Sequence, residues 1–143
     1  MSPRHTVVPE THLLLFRDER TLLSLRQNTG YEDGSYSVVA GHIERGESAR
    51  QAMVREAREE SGVLIHPADL FLCHVMHRRA ADERVSFFFS AGTWTGEPMN
   101  MEPHKCGDLS WFRLDRLPDN MIPYVKAAIR MAREREIYSE FGW

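Results

Sequence analysis

A chain of 143 residues with 42% hydrophobic content can bury the core of one ordinary domain. Its formal charge of −3 and pI near 6.2 exclude general nucleic-acid binding through a basic surface, so an anionic ligand has to be met locally. It has no apolar run of about 18 residues to span a membrane and no basic-then-apolar order of a signal peptide at its N-terminus, so no membrane role is expected.

In chain order, residues 12–16 and 21–25 are short apolar runs around the polar turn 17–20, and they read as a hairpin. Residues 36–40 are a further strand candidate that feeds a glycine turn. The next stretch, 41–63, reads GHIERGESARQAMVREAREESGV. Ser48 can cap a helix, Gln51 completes a capping box, and Gly62 suits a left-handed stop, which predicts a helix over 49–61. At roughly 100° per residue, Ala49, Ala52, Met53 and Ala57 form one stripe, with Glu56 and Glu60 inside it and Glu59 at its border. Carboxylates on a face that should be buried are costly unless paired or bound to a cation. This face therefore needs a basic cluster or a metal, and an all-oxygen ligand set favours Mg²⁺ or Mn²⁺ over zinc. The plain alternative is a solvated helix held by its own ion pairs. The glutamates on the apolar stripe, and the preceding turn with Gly41, Glu44, Gly46 and Glu47, favour the site.

Beyond Gly62, residues 70–77 and 85–95 are rich in strand formers and should pair as a long hairpin around the charged segment 78–84. Residues 109–113 form a last short strand, and 123–137 a C-terminal helix with Val125, Ala128, Ile129 and Ala132 at helical spacing. Arg26 and Arg78 lie near strand ends and are candidates for substrate phosphate. His74 and His77, three apart on a strand, should face opposite ways and make poor joint metal ligands. Tyr36, Phe88, Trp111 and Phe112 read as core aromatics, and Tyr138, Phe141 and Trp143 would serve a homodimer interface or pack back on the domain. Cys73 and Cys106 lack C-x-x-C spacing and read as free thiols, which with the absence of a signal peptide places the protein in the cytoplasm.

The register of Gly41, Glu47, Arg55, Glu56, Glu59, Glu60, Gly62 and Val63 resembles the Nudix box, G-x5-E-x7-R-E-U-x-E-E-x-G-U with U aliphatic. At average residue usage, seven fixed identities in this register arise by chance less than about once in ten million starting points. Ala57 stands where the family more often has a larger aliphatic residue, and Ala40 where many members carry a further glycine. The resemblance implies an α+β fold, an α/β/α sandwich with a mixed β-sheet between helices, formed by residues 1–143 as a single domain. It implies Glu56, Glu59, Glu60 and the backbone carbonyl of Ala40 as ligands of Mg²⁺ or Mn²⁺, with Arg55 orienting the site by pairing with Glu47. Gly41 and Gly62 would be structural. It draws the general base from Glu56, Glu60 or Glu102.

Residues 102–105, Glu-Pro-His-Lys, resemble a segment of nucleoside-triphosphate-cleaving members, in which Lys105 would face phosphate. The resemblance therefore implies a MutT-like pyrophosphohydrolase acting on a nucleoside triphosphate, plain or oxidised, to give monophosphate and pyrophosphate. Its partner would be a small nucleotide and not a nucleic acid. Rival readings within the family are ADP-ribose or nucleotide-sugar cleavage and isoprenoid diphosphate chemistry. Outside catalysis, the rival is a module that senses nucleotides without cleaving them.

Overall fold

The computed structural model describes residues 2–143. In a five-stranded mixed sheet, β1 (Val8–Leu13) lies between β5 (Ala40–His42), which it meets antiparallel, and β7 (Glu83–Ala91), which it meets parallel. The sheet continues from β7 to antiparallel β6 (Leu70–Arg79) and then to parallel β9 (Tyr138–Phe141). The second sheet centres on β3 (Arg20–Arg26), with β8 (Cys106–Arg113) along one edge and β2 (Phe16–Arg17) and β4 (Tyr36–Ser37) on the other. Helix α1 (Ala49–Ser61) packs on β1 and β5, and α2 (Pro123–Arg133) packs on β6.

Consecutive residues divide between two cores. Leu13, Leu15, Leu22 and Phe89 join Met53 and Ala57 of α1, whereas Leu14, Leu23 and Phe88 join Val125, Ala128 and Ile129 of α2. Because neighbouring side chains of a strand point to opposite faces, this division puts the sheet layer between the two helices. The α/β/α sandwich expected from the sequence is the fold observed.

Four elements differ from the sequence reading, the first being the strand candidate at 36–40, which divides between β4 in one sheet and β5 in the other. Residues 12–16 are not one hairpin arm: β1 starts at Val8, and after Leu13 the chain passes to the other sheet, which is why three successive leucines are all buried. The hairpin that remains joins β2 to β3 through Asp18 and Glu19, whose φ values of 51° and 60° match the twist of paired strands. Strands β6 and β7 run on to a tight turn at 80–82, so Arg78 and Arg84 sit inside strands. Helix α2 ends at Arg133 instead of 137, and the chain leaves it to form β9. The fully buried His74 ring pins that return, with Nδ1 2.6 Å from the Glu136 carbonyl oxygen and Nε2 2.7 Å from Ser139 Oγ. Cys73 and Cys106 are free thiols, and no helix among the described residues is long and apolar enough to cross a membrane.

Candidate active site

Local rules set the helix that carries the acidic residues. Ser48 Oγ accepts from the Gln51 N–H at 3.1 Å, Gln51 Oε1 accepts from the Ser48 N–H at 2.8 Å, and Gly62 closes α1 at φ 71°. With these ends fixed, Ala52, Met53 and Ala57 are fully buried, while Glu56 and Glu60 lie half-buried beside them and Glu59 is exposed. Strand β5 approaches this face so closely that a methyl group at Gly41 would collide with the Glu56 carboxylate. The Ala40 N–H donates to Glu60 Oε2 at 3.1 Å, and Ala40 needs no left-handed backbone to do so.

Arg55 knits the cluster together. Its guanidinium forms a fork on Glu47, Nε to Oε2 at 2.7 Å and Nη2 to Oε1 at 2.9 Å, and its Nη1 reaches Glu56 at 2.7 Å and Glu59 at 3.2 Å. The hydrogen bonds from Arg55, helped by the Glu44 N–H, hold the Glu47 carboxyl at about 2. Glu60 behaves in the opposite way. Burial, then the nearby carboxylates of Glu56 and Glu102, push its pKa well above the ordinary range, against the single Ala40 N–H. Glu56, Glu60 and Glu102 therefore crowd one wall with less positive charge than they need.

That imbalance is what a hard cation corrects, and the donor set of three carboxylates and a backbone carbonyl suits Mg²⁺ or Mn²⁺. Among the described residues, no three His, Cys, Asp or Glu side chains are closed up as a coordination shell. Glu56 and Glu59 are turned to Arg55, with which a cation would compete for them.

The carboxylates line a cleft of about 470 Å³ that also presents Arg26, Glu102 and Lys105. Arg26 is at its rim, where Nε donates to the Tyr31 carbonyl at 2.8 Å and steadies the loop after β3. Arg78 is set apart from the carboxylates. It is buried, bonded to Glu10 and to Ser86 Oγ, and its guanidinium carbon lies 3.5 Å from the Tyr124 ring centroid. The predicted site residues other than Arg78 thus share one cleft or brace it: Glu47 and Gly41 support the acidic wall, and Gly62 ends its helix.

Sequence reasoning missed a second chamber of about 540 Å³, lined by Glu10, His12, Arg78, Arg84 and Tyr124 among others. It shares Arg26, Ser37, Ala40, Glu44 and Glu56 with the first, so the two lie side by side against the acidic wall. The signal was present as two polar residues, Glu10 and His12, at alternate positions of β1, but a strand starting at residue 12 leaves Glu10 outside. Burial would push the Glu10 carboxyl up, yet His12 once protonated in acid, Arg78 and the Ser86 hydroxyl outweigh it and hold it at about 2. Burial, with Arg78, Arg84 and Arg26 adding to it and Glu10 opposing, brings His12 down to about 4, so the ring is neutral at pH 7.

Comparison with known proteins gives a consistent picture. The family model described as NUDIX domain matches residues 8–134. A protein of Stutzerimonas stutzeri (strain A1501) named NAD-capped RNA hydrolase NudC is 32% identical over 110 residues, which cover 77% of this chain and 38% of that protein. The chain thus spans well under half the length of this curated relative. Among solved structures, a MutT NUDIX hydrolase from Burkholderia pseudomallei superposes with a TM-score of 0.80 at 26% identity, covering 88% of this chain and 98% of that one. A NUDIX hydrolase from Nitrosomonas europaea superposes with a TM-score of 0.78 at 23% identity, covering 93% of each, and shows the shared fold.

Proposed function

This chain belongs to the NUDIX family, and on that premise we propose that it hydrolyses a phosphoanhydride bond in a nucleoside diphosphate derivative. The substrate that fits best is a nucleoside triphosphate, plain or oxidised, cleaved to monophosphate and pyrophosphate. The observation that carries this reading is the crowding of Glu56, Glu60 and Glu102 on one wall of a cleft that also holds Arg26 and Lys105. A fold alone hosts many reactions, so the argument rests on that wall.

Glu56, Glu59, Glu60 and the Ala40 carbonyl would hold Mg²⁺ or Mn²⁺, which when bound neutralises diphosphate oxygens and lowers the pKa of a water. Arg55, locked by Glu47, holds Glu56 and Glu59 together and would present them to such a cation. Lys105, exposed on the cleft wall, draws in phosphate oxygens. As the water oxygen bonds to phosphorus, Glu102 or Glu60 takes its proton. The bridging P–O bond then breaks and the departing phosphate keeps the electron pair. Burial among other carboxylates makes Glu60 more basic than an ordinary glutamate, which suits this transfer.

A second reading follows from the relative's name, NAD-capped RNA hydrolase, and from the two adjoining chambers. In it the scissile diphosphate joins two bulky moieties, as in NAD. A panel separates these readings: purified protein is incubated with nucleoside triphosphates, ADP-ribose, NAD and NAD-capped RNA, with and without Mg²⁺, and released pyrophosphate and monophosphates are measured. Metal-dependent release of pyrophosphate from a triphosphate is expected. Tight nucleotide binding with no turnover on any member of the panel would leave a sensing module instead.

A further inference from the structure

The second chamber holds hydrogen-bonding capacity that the fold does not use. A carboxylate offers roughly four acceptor positions. Glu10 fills both on Oε1, from Arg78 Nη2 and from Ser86 Oγ at 2.6 Å, but on Oε2 it receives only Arg84 Nη1, at 3.0 Å. A guanidinium carries five N–H donors. Those of Arg84 go to Glu10, to His42 Nε2 at 3.2 Å, and twice to Asp82, at 2.8 and 3.2 Å, leaving one on Nη2. One free acceptor and one free donor therefore lie on two side chains already joined to each other. The same chamber contains His12, 1% exposed, whose Nε2 is 2.9 Å from Tyr124 Oη and whose Nδ1 has no partner. Unsatisfied polar atoms of this kind are rare in interiors and call for a ligand or a water.

Charge decides the class of ligand. Three cations, Arg26, Arg78 and Arg84, face four anions, Glu10, Asp82, Glu44 and Glu56, so this chamber has no surplus positive charge for phosphate. With its arginines bonded to Glu10 and Asp82, it also has no carboxylate cluster for a cation to bridge, unlike the acidic wall of the other chamber. The uncompensated lysine, Lys105, lines only the other chamber. Tyr31, 45% exposed at the rim of the second chamber, adds an aromatic face for a planar ring. We infer that Arg84, with Glu10, determines specificity by reading the donor–acceptor edge of a substrate's uncharged nucleobase in this chamber, while the phosphates lie against Glu56 and Lys105. This inference rests on the nucleotide-hydrolase reading for its substrate, but it makes a claim about binding that does not require turnover.

Arg84 can be removed without stranding Glu10, because Arg78 still neutralises that carboxylate. The test uses ¹⁵N-labelled protein in saturating Mg²⁺, titrated with nucleoside 5′-monophosphates and separately with inorganic pyrophosphate, neither of which is a substrate of the proposed hydrolysis. Nucleotides are expected to shift the amide signals of residues 80–84, and pyrophosphate only those around Glu102 and Lys105. Arg84→Ala should weaken nucleotide binding about tenfold or more, the loss of one hydrogen bond to a charged group, and leave pyrophosphate binding unchanged. Arg84→Lys should recover part of the loss, and matching thermal unfolding shows that the fold is kept. Pyrophosphate shifting residues 80–84 as strongly as nucleotides do, or unaltered nucleotide affinity in Arg84→Ala, would overturn the assignment. Binding as described without turnover on the substrate panel would instead count against hydrolysis alone.

Discussion

At Gly41 one missing methyl group decides where Glu56 can lie, because the carboxylate occupies the space a Cβ would fill. Gly41 does not sit in the left-handed region, so Gly41→Ala should fold normally while displacing the carboxylate. We expect Mn²⁺ affinity to fall about 10- to 100-fold, as for other disturbed supports of metal ligands, with little change in unfolding temperature. Arg55→Lys tests the other support. An ammonium group cannot reproduce the fork on Glu47 while also holding Glu56 and Glu59, and metal-dependent turnover should drop by a similar factor. Turnover equal to wild type would make Arg55 a surface residue. Gly41, Glu47 and Arg55 are legible through the resemblance to the family motif, and Glu56, Glu59 and Glu60 could be read in the sequence because helical spacing assigns them to a face. Glu10 and Arg84 could not, since their meeting depends on the parallel pairing of β1 with β7, which places Glu10 opposite Ser86 across a long sequence separation.

Elements with their own end signals were legible to the residue. The span of α1 agrees with its caps at both ends, and those caps make a stability prediction: Ser48→Ala should cost about 1 kcal/mol. In a domain of this size that is a fall of roughly 3 °C in Tm, measurable by circular dichroism. An unchanged Tm would mean that packing against β1 and β5 alone fixes the start of the helix. Helix α2 shows the reverse case. Apolar spacing continues through Ile137, but the chain stops at Arg133 because β6 offers a free edge that β9 fills, stapled by His74. A pattern along one segment cannot reveal an edge supplied by another. The split of residues 12–16 between two sheets has the same cause: a run of buried leucines looks alike whether it serves one core or two.

For the whole molecule, the buried polar cluster beneath the second chamber sets the response to acid. His12 is brought down to about 4 from 6.5, so below pH 6.5 the unfolded chain binds a proton that the folded chain refuses, and stability falls between pH 6.5 and 4. Glu10, held at about 2 against 4.5, stabilises the fold above pH 4.5 and loses that contribution as pH falls toward 2. Glu47 adds to this lower stage of loss and Glu60, whose raised carboxyl takes its proton first in the folded chain, opposes the upper one. The His12 contribution is therefore read by difference: His12→Gln should lose less stability between pH 6.5 and 4 than the wild type. A variant that keeps the full decline between pH 6.5 and 4 would assign it to other groups.

At this scale too, the acidic wall accounts for the architecture of the cleft, with a glycine turn, a capped helix and a later loop all delivering carboxylates to one place. The central claim is that Glu56 and Glu60 on the apolar stripe of α1 hold a divalent cation. Its most direct test is a Mn²⁺ titration followed by electron paramagnetic resonance, comparing wild type with the Glu56→Gln, Glu60→Gln double variant. Saturable loss of the free Mn²⁺ signal is expected in the wild type and not in the variant. Equal Mn²⁺ binding by the two proteins, or none by the wild type, would contradict it.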